Sequence, residues 1–394
     1  VELAAAVQFR ETFLFAMQLF SEDRQMTRRT YLKQLGGWPM PWPADMHVHF
    51  RLDKDMMGLV IPIAAYHYCY TTAMPNLGPD RIRTPLQALE YRQMILRIGQ
   101  TVNPEFDVNV PLYLEPDTDP KVVRQGFERK AWIAAKLYPR GGTTGSEEGV
   151  DFCKLDELDE VFGAINELGM MLLIHAEPQS SPTGTVYDVF DREQRSHQFL
   201  HELLTKHRGI KVVFEHVSSA ETIPFLVRMK AGGHTIGATV APQYLVWSRN
   251  SLFQGGMNPL RYSIPVLKRE RDRLALVEFV TDGDIAFLGT DSAPHPVSAK
   301  SKHTGCPGGV FNSPVALFTY FEVFKNSGCA DWFDRFVEFA CFRGPEFYGL
   351  PVYQSDAIVI KERLWRVPDV YENRGARIIP MMAGQQMEYS VGHI

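Results

Sequence analysis

His47 and His49 stand one residue apart in Asp45-Met46-His47-Val48-His49-Phe50-Arg51. In an extended strand the side-chain period of two brings both imidazoles to one face. Two neutral nitrogen donors on one face can begin a metal site. Arg51 keeps the same parity. If the strand persists to its end, a fixed cation points the same way, ready for an anion. Four further candidates each follow a short apolar run. They are Lys136 in Ala-Ala-Lys-Leu-Tyr-Pro, His175 in Leu-Leu-Ile-His-Ala-Glu, His216 in Val-Val-Phe-Glu-His-Val and Asp291 in Phe-Leu-Gly-Thr-Asp-Ser-Ala-Pro-His. Histidines with a carboxylate form a common zinc set. Two such metals, about 3.5–4 Å apart, generate hydroxide near neutral pH and polarise a carbonyl.

Lys136 is the odd member, because a protonated lysine beside two divalent cations is strongly repelled. Two alternatives remain: a neutral structural lysine, or a carbamate formed with carbon dioxide. The carbamate is an anionic two-oxygen ligand able to bridge two metals. Burial and nearby cations both depress a lysine pKa, which favours the neutral amine that this reaction needs.

These residues need elements that bring them together. Strand-like apolar runs fall near 44–50, 68–75, 107–114, 131–138, 169–176, 210–217, 234–241 and 285–291. Helix-length segments separate most of them, among them Thr84 to Gly99, Asp156 to Leu168, Ser219 to Lys230 and Val266 to Val280. Eight strands alternating with helices predict an α/β chain built as a (β/α)8 TIM barrel. The competing doubly wound sheet normally carries a glycine-rich phosphate turn after its first strand, and none follows here. In a barrel the chemistry sits at the C-terminal strand ends. All six candidates fall there. His67, His197, His201, His207, His303 and His393 fall in helices, loops or the tail, and His234 opens the seventh strand at the opposite rim; these read as surface or structural residues.

Three regions are expected: an N-terminal amphipathic helical extension over 1–38, a catalytic barrel over 39–348, and a tail over 349–394 carrying a small β element near 357–367. The extension carries Phe9, Phe13, Leu14, Met17 and Phe20 at helical spacing and would pack on the body or on a partner subunit. A processed leader remnant is the alternative. The formal net charge of −5 argues against nucleic acid as a partner. No run of about 18 apolar residues predicts a membrane span. Five scattered cysteines suit a reducing compartment, so a cytoplasmic protein is expected.

The motifs His-Val-His-Phe-Arg at 47–51, Ala-Met-Pro-Asn at 73–76, AKLYPRGGTTGSEEGV at 135–150, IHAE at 174–177, EHVSS at 215–219, YSIPVLKR at 262–269, GTDSAPHP at 289–296 and FNSPVAL at 311–317 occur together. Over about residues 44–394 the chain thereby resembles the amidohydrolase superfamily, and within it the short, single-function bacterial dihydroorotases. The resemblance implies two Zn²⁺ per chain, bridged by carbamylated Lys136 and a hydroxide. His47 and His49 would bind the more buried zinc, and His175 and His216 the more exposed one. Asp291 would ligate the buried zinc and act as general base and acid. Arg51, Asn76 and His295 would contact the substrate carboxylate. Ile264 and Gly308 would hold the pyrimidine ring through backbone groups. Thr143 and Thr144 would lie on a loop that closes over the substrate. The implied activity interconverts N-carbamoyl-L-aspartate and L-dihydroorotate in pyrimidine biosynthesis, in a homodimer acting on small molecules.

The N-terminal extension, and Met46 where a larger aromatic is common, depart from the family pattern. Read from the residues alone, Asn76 could be a turn residue, His295 a loop residue, and the threonines part of a flexible linker. Rival functions are a hydantoinase or dihydropyrimidinase, whose substrates need no carboxylate anchor, and a non-catalytic scaffold, which would not need all six metal-site residues.

Overall fold

The computed structural model describes residues 37–394. After β1 (Gly37–Met40), parallel strands recur along the chain: β2 (Ala44–Val48), β3 (Tyr70–Ala73), β4 (Asp107–Asn109), β5 (Leu112–Tyr113), β6 (Ala134–Leu137), β7 (Met171–Ile174), β8 (Lys211–Phe214), β9 (Thr235–Thr239) and β10 (Ala286–Phe287). They hydrogen-bond in two parallel sets, β2-β3-β4 and β5-β6-β7-β8-β9-β10. β4 and β5 are halves of one extended run interrupted at Val110-Pro111. Proline has no N–H to give, so the ladder breaks there.

At the other edge, Met46 N donates to Leu288 O at 3.1 Å, Asp291 N to His47 O at 2.8 Å and His49 N to Ser292 O at 3.0 Å. A parallel bridge also joins Val48 to Ser292. Backbone hydrogen bonds thus also join β2 to the segment that follows β10. The result is an α/β arrangement of parallel strands with helices between them. Strands such as β6 (AAKL) and β7 (MLLI) are buried at every residue, as parallel strands covered on both faces must be.

The helices follow local sequence signals. Thr84 caps Pro85–Gly99 through a reciprocal box with Gln87, and proline takes the first turn. The helix expected from Val266 instead runs Glu270–Asp282, because Arg269 N is held by Asp272 and residues 266–268 are buried in irregular chain.

Two apolar clusters flank the strands. The smaller one contains Ala44, Met46, Met74, Ala134, Met171, Leu173, Val213, Phe287 and Tyr348. Along β6, β7 and β8 its members alternate with residues of the larger cluster, such as Ala135, Leu172 and Val212, which lie with the helices. The smaller cluster is therefore the interior between the strands.

The expected tail element is β11 (Ile358–Arg366), paired antiparallel with β14 (Gln386–His393) and with β1. β12 (Tyr371–Asn373) and β13 (Ala376–Ile378) form a separate hairpin. The helical extension expected over 1–38 lies outside the described residues except for Gly37 and Trp38, which are strand: Gly37 pairs with Lys361 and Trp38 with Ile360. Trp38 also packs edge-on against Phe321, with ring centroids 5.2 Å apart.

Candidate active site

Strand parity carries part of the site. Along β6 the interior positions are Ala134 and then Lys136; along β7 they are Met171, Leu173 and then His175; along β8, Val213 and then Glu215. β2 needs a correction to this parity, because Ala44 and Met46 are interior residues whereas His47 and His49 reach the site. The register between β2 and β3 shifts between Asp45 and Val48. An irregularity of this kind re-aims the side chains that follow it.

Three site residues occupy the left-handed region: Arg51 at φ 64°, His216 at φ 43° and Asp291 at φ 46°. Such backbone costs about 1–3 kcal/mol per non-glycine residue and concentrates at functional sites. His216 follows Glu215 and would face away by parity; its turn brings its ring to 5.2 Å from that of His47 and 4.5 Å from that of His175. The parity expected for Arg51 required the strand to persist to it; β2 instead ends at Val48, and Arg51 is aimed by its left-handed backbone.

Donor atoms of His47, His49 and Asp291 lie within 4.8 Å of one another, a group able to hold a metal ion. Asp291 Oδ1 is 3.4 Å from His47 Nε2 and 3.2 Å from His49 Nε2. Burial opposes the charged form of Asp291, yet bonds from both histidines hold its carboxyl well below the usual range. Burial pushes His49 down to about 3 and His216 well down, so both present neutral nitrogens, the form a metal takes. Lys136 is fully buried, its Nζ finds no hydrogen-bond partner among the described residues, and the nearest carboxylate oxygen, Glu215 Oε1, is 3.9 Å away. Burial pushes its pKa down to about 8, against the opposing charges of Glu215 and Asp291. His216 Nδ1 is likewise buried without a partner among the described residues. His175 Nε2 sits 3.2 Å from Glu177 Oε2. Neutral imidazoles, an ionised carboxylate and an orphaned buried amine are a donor set that suits divalent metal.

Several supporting residues were not singled out from the sequence. Glu215 Oε2 lies 2.7 Å from His47 Nδ1 and accepts from the Thr239 hydroxyl at 2.7 Å. Burial opposes the charged form of His47, yet the charge of Glu215 beside it raises its pKa; with Nδ1 held by this carboxylate, Nε2 is the atom His47 would offer to a metal. The interior parity of Val213 and Glu215, inside the EHVSS motif, is the signal that could have found it. Asp45 accepts from Thr290 N at 2.8 Å and Thr290 Oγ1 at 2.6 Å, locking the first strand to the segment that carries Asp291. Its proton affinity is raised by burial, to a pKa of about 7. Because Glu215 orients a histidine, Glu215→Gln is expected to weaken metal affinity about 10- to 100-fold, measured by chelator competition; unchanged affinity would show that His47 needs no carboxylate behind it.

The remaining candidates gather beside this cluster. Arg51, Asn76, Thr144 and His295 line one cleft of about 800 Å³. Arg51 Nε donates to Pro294 O at 3.0 Å, and its Nη2 lies 3.1 Å from His295 Nε2. That same His295 nitrogen is 3.0 Å from Gly308 O. One ring nitrogen cannot donate to Gly308 and accept from Arg51 at once, so the two contacts exclude each other. Burial, then the charges of Arg51 and Lys300, push His295 down to about 2, leaving it neutral. Asn76 Nδ2 donates to Thr144 O at 2.9 Å, which fastens the Gly141–Gly145 loop to the cleft. Thr143 is bound within its own loop, its N donating to Ser146 Oγ at 2.9 Å. Gly308 packs on Ile264 so closely that a Cβ there would come 2.5 Å from Ile264 Cγ1.

No protein-family model matches the chain. Curated relatives do. The chain is 38% identical over 352 residues to a mitochondrial dihydroorotase of Arabidopsis thaliana, covering 88% of this chain and 89% of the relative. It is 36% identical over 356 residues to a dihydroorotase of the bacterium Acaryochloris marina, covering 89% and 97%. Among solved structures, a Saccharomyces cerevisiae dihydroorotase in complex with 5-fluoroorotic acid superposes with a TM-score of 0.83 at 25% identity, over 91% of this chain and 99% of that one. An L-hydantoinase of Arthrobacter aurescens, at 18% identity and a TM-score of 0.73, shares the fold. Identity of this level, sustained over nearly nine-tenths of the chain, shows that the chain belongs to the dihydroorotase family.

Proposed function

We propose that this chain is a dihydroorotase, a cyclic amidohydrolase that interconverts N-carbamoyl-L-aspartate and L-dihydroorotate in pyrimidine biosynthesis. The observation that carries this reading is the placement of the His47-His49-Asp291 group beside a cleft that holds Arg51, Asn76 and His295. The fold is assigned as a (β/α)8 barrel over 39–348, followed by the 349–394 tail, whose sheet takes β1 from the other end of the chain.

In this reading His47, His49 and Asp291 would hold one Zn²⁺ and His175, His216 and carbamylated Lys136 would serve a second. Metals held there would supply an activated water and a polarised carbonyl. The chain's own groups do the rest. Arg51 orients the substrate by its carboxylate, through charge-assisted hydrogen bonds. An arriving carboxylate also settles the conflict at His295: with Arg51 occupied by the anion, Nε2 keeps its proton and donates to Gly308 O. Asp291 takes the proton of the attacking water and delivers it to the ring nitrogen as the carbon–nitrogen bond breaks. In the ring-closing direction the same carboxylate removes a proton from the ureido nitrogen. Thr143 and Thr144 ride on a loop whose flanking glycines, Gly141 at φ 63° and Gly145 at φ 71°, adopt backbone that other residues resist. That loop closes over bound substrate and keeps bulk water out. No helix among the described residues is long and apolar enough to cross a membrane. A cytoplasmic homodimer acting on these small molecules completes the reading.

The competing hydantoinase reading needs no carboxylate anchor. Wild-type enzyme is expected to turn over dihydroorotate and to leave hydantoin and dihydrouracil essentially untouched. Arg51→Met is expected to raise KM for dihydroorotate roughly 10- to 100-fold, the worth of one charge-assisted pair. An absorbance assay measures both. Turnover of uncharged rings at a comparable kcat/KM would replace this reading with the hydantoinase one.

A further inference from the structure

We propose that Lys300 is a positioning residue for the substrate ring: its ammonium clamps together the two backbone segments that face the pyrimidine. The proposal rests on the dihydroorotase reading and extends it to a residue outside the metal centre and outside the carboxylate contacts. Lys300 ends the short helix Val297–Lys300 and is only 5% exposed. Its Nζ donates to Tyr262 O at 3.1 Å, Pro307 O at 3.0 Å and Gly309 O at 2.9 Å. An ammonium has three donors, and here each meets a main-chain carbonyl.

The acceptors come from segments more than forty residues apart in sequence. Gly309 N donates to Tyr262 O at 3.0 Å, so the segments also bond directly. Ile264 and Gly308 are the two residues expected to meet the ring through their backbones. They lie within the clamped stretches and pack on each other without room for a Cβ at Gly308. Gly308 O is also the acceptor facing His295 at 3.0 Å. One buried cation thus sets the spacing of the ring-facing backbone and the placement of the carbonyl that selects the His295 tautomer.

The cation is costly for the fold. Burial pushes its pKa down to about 8, and carbonyls rather than a carboxylate receive it. An apolar side chain of similar length would cost less to bury. Retaining a charge here is explained by what it holds in place. Removing it loosens ground-state and transition-state binding alike, which raises KM and spares kcat.

The test compares wild type, Lys300→Met and Lys300→Gln for thermal stability, bound metal and dihydroorotate kinetics. The expected result for Lys300→Met is unchanged metal content, kcat within about 3-fold of wild type and KM raised about 10-fold or more. Lys300→Gln keeps two donors and is expected to fall between the two. If Lys300→Met does not fold, an elevated KM with normal kcat in Lys300→Gln supports the proposal, and a wild-type KM overturns it. A folded Lys300→Met enzyme with wild-type KM, or one that loses kcat and metal while KM holds, also overturns it. Wild-type protein that binds metal but does not turn over dihydroorotate overturns the underlying functional reading, a separate result from any change on substitution.

Discussion

Asp291→Ala is expected to keep its fold and lose about 10²- to 10⁴-fold in kcat, the range for removing a general acid–base group. The carboxylate lies within reach of both His47 and His49, at 3.4 and 3.2 Å. It is also held ionised against its burial, as a proton acceptor must be. Alanine removes a metal ligand and a proton carrier at once, so one substitution cannot separate the roles. Asp291→Asn separates them better: asparagine tolerates the left-handed backbone at φ 46°, keeps one oxygen donor and cannot carry the proton. The expected result is partial retention of metal with turnover as low as in the alanine variant. Saturating dihydroorotate kinetics with metal analysis on the same samples give the answer. An Asp291→Asn enzyme within about tenfold of wild type would remove Asp291 from the proton-transfer step.

The second large effect concerns Lys136. Its amine is fully buried, without a hydrogen-bond partner among the described residues, and its pKa is pushed down to about 8. A neutral amine can attack carbon dioxide: a nitrogen–carbon bond forms, one proton leaves, and a carbamate with two oxygens results. That converts an orphaned donor into an anionic acceptor pair. Lys136→Ala is expected to fall from about two metals per chain to one or fewer and to lose at least about 10²-fold in kcat. The space it leaves admits a small carboxylate, so added acetate or propionate is expected to restore part of both. Metal reloading of stripped wild-type enzyme is expected to depend on bicarbonate. Full reconstitution in bicarbonate-free buffer, with no rescue of the alanine variant, would return Lys136 to a purely structural role.

Much of this site is legible in the sequence because strand parity is local. His175 and Lys136 face the interior by counting twos from Leu173 and Ala134. The eight strand runs are legible for the same reason, and so is the helix from Pro85, announced by Thr84 and Gln87. Counting fails where a distant segment intervenes. His47 and His49 reach the interior through a register shift that pairing with β3 imposes. Arg51 and His216 are aimed by left-handed backbone, which no propensity of arginine or histidine predicts. The run at 107–114 reads as one strand, yet Pro111 divides its pairing between two neighbours. Trp38 reads as the end of a helical extension, and β11 recruits it into a sheet.

The sequence by itself determined the inventory: which donors exist, in what order they occur, and at which strand ends they fall. These follow from residue type and short-range periodicity. Only the tertiary structure decided which atoms meet. Glu215 behind His47, Asp45 holding Thr290, the single His295 nitrogen contested by Arg51 and Gly308, and the three carbonyls around Lys300 each join residues far apart in the chain. The physical reason is that a buried polar atom is satisfied by whatever packing brings within about 3 Å, and packing is set by the whole fold.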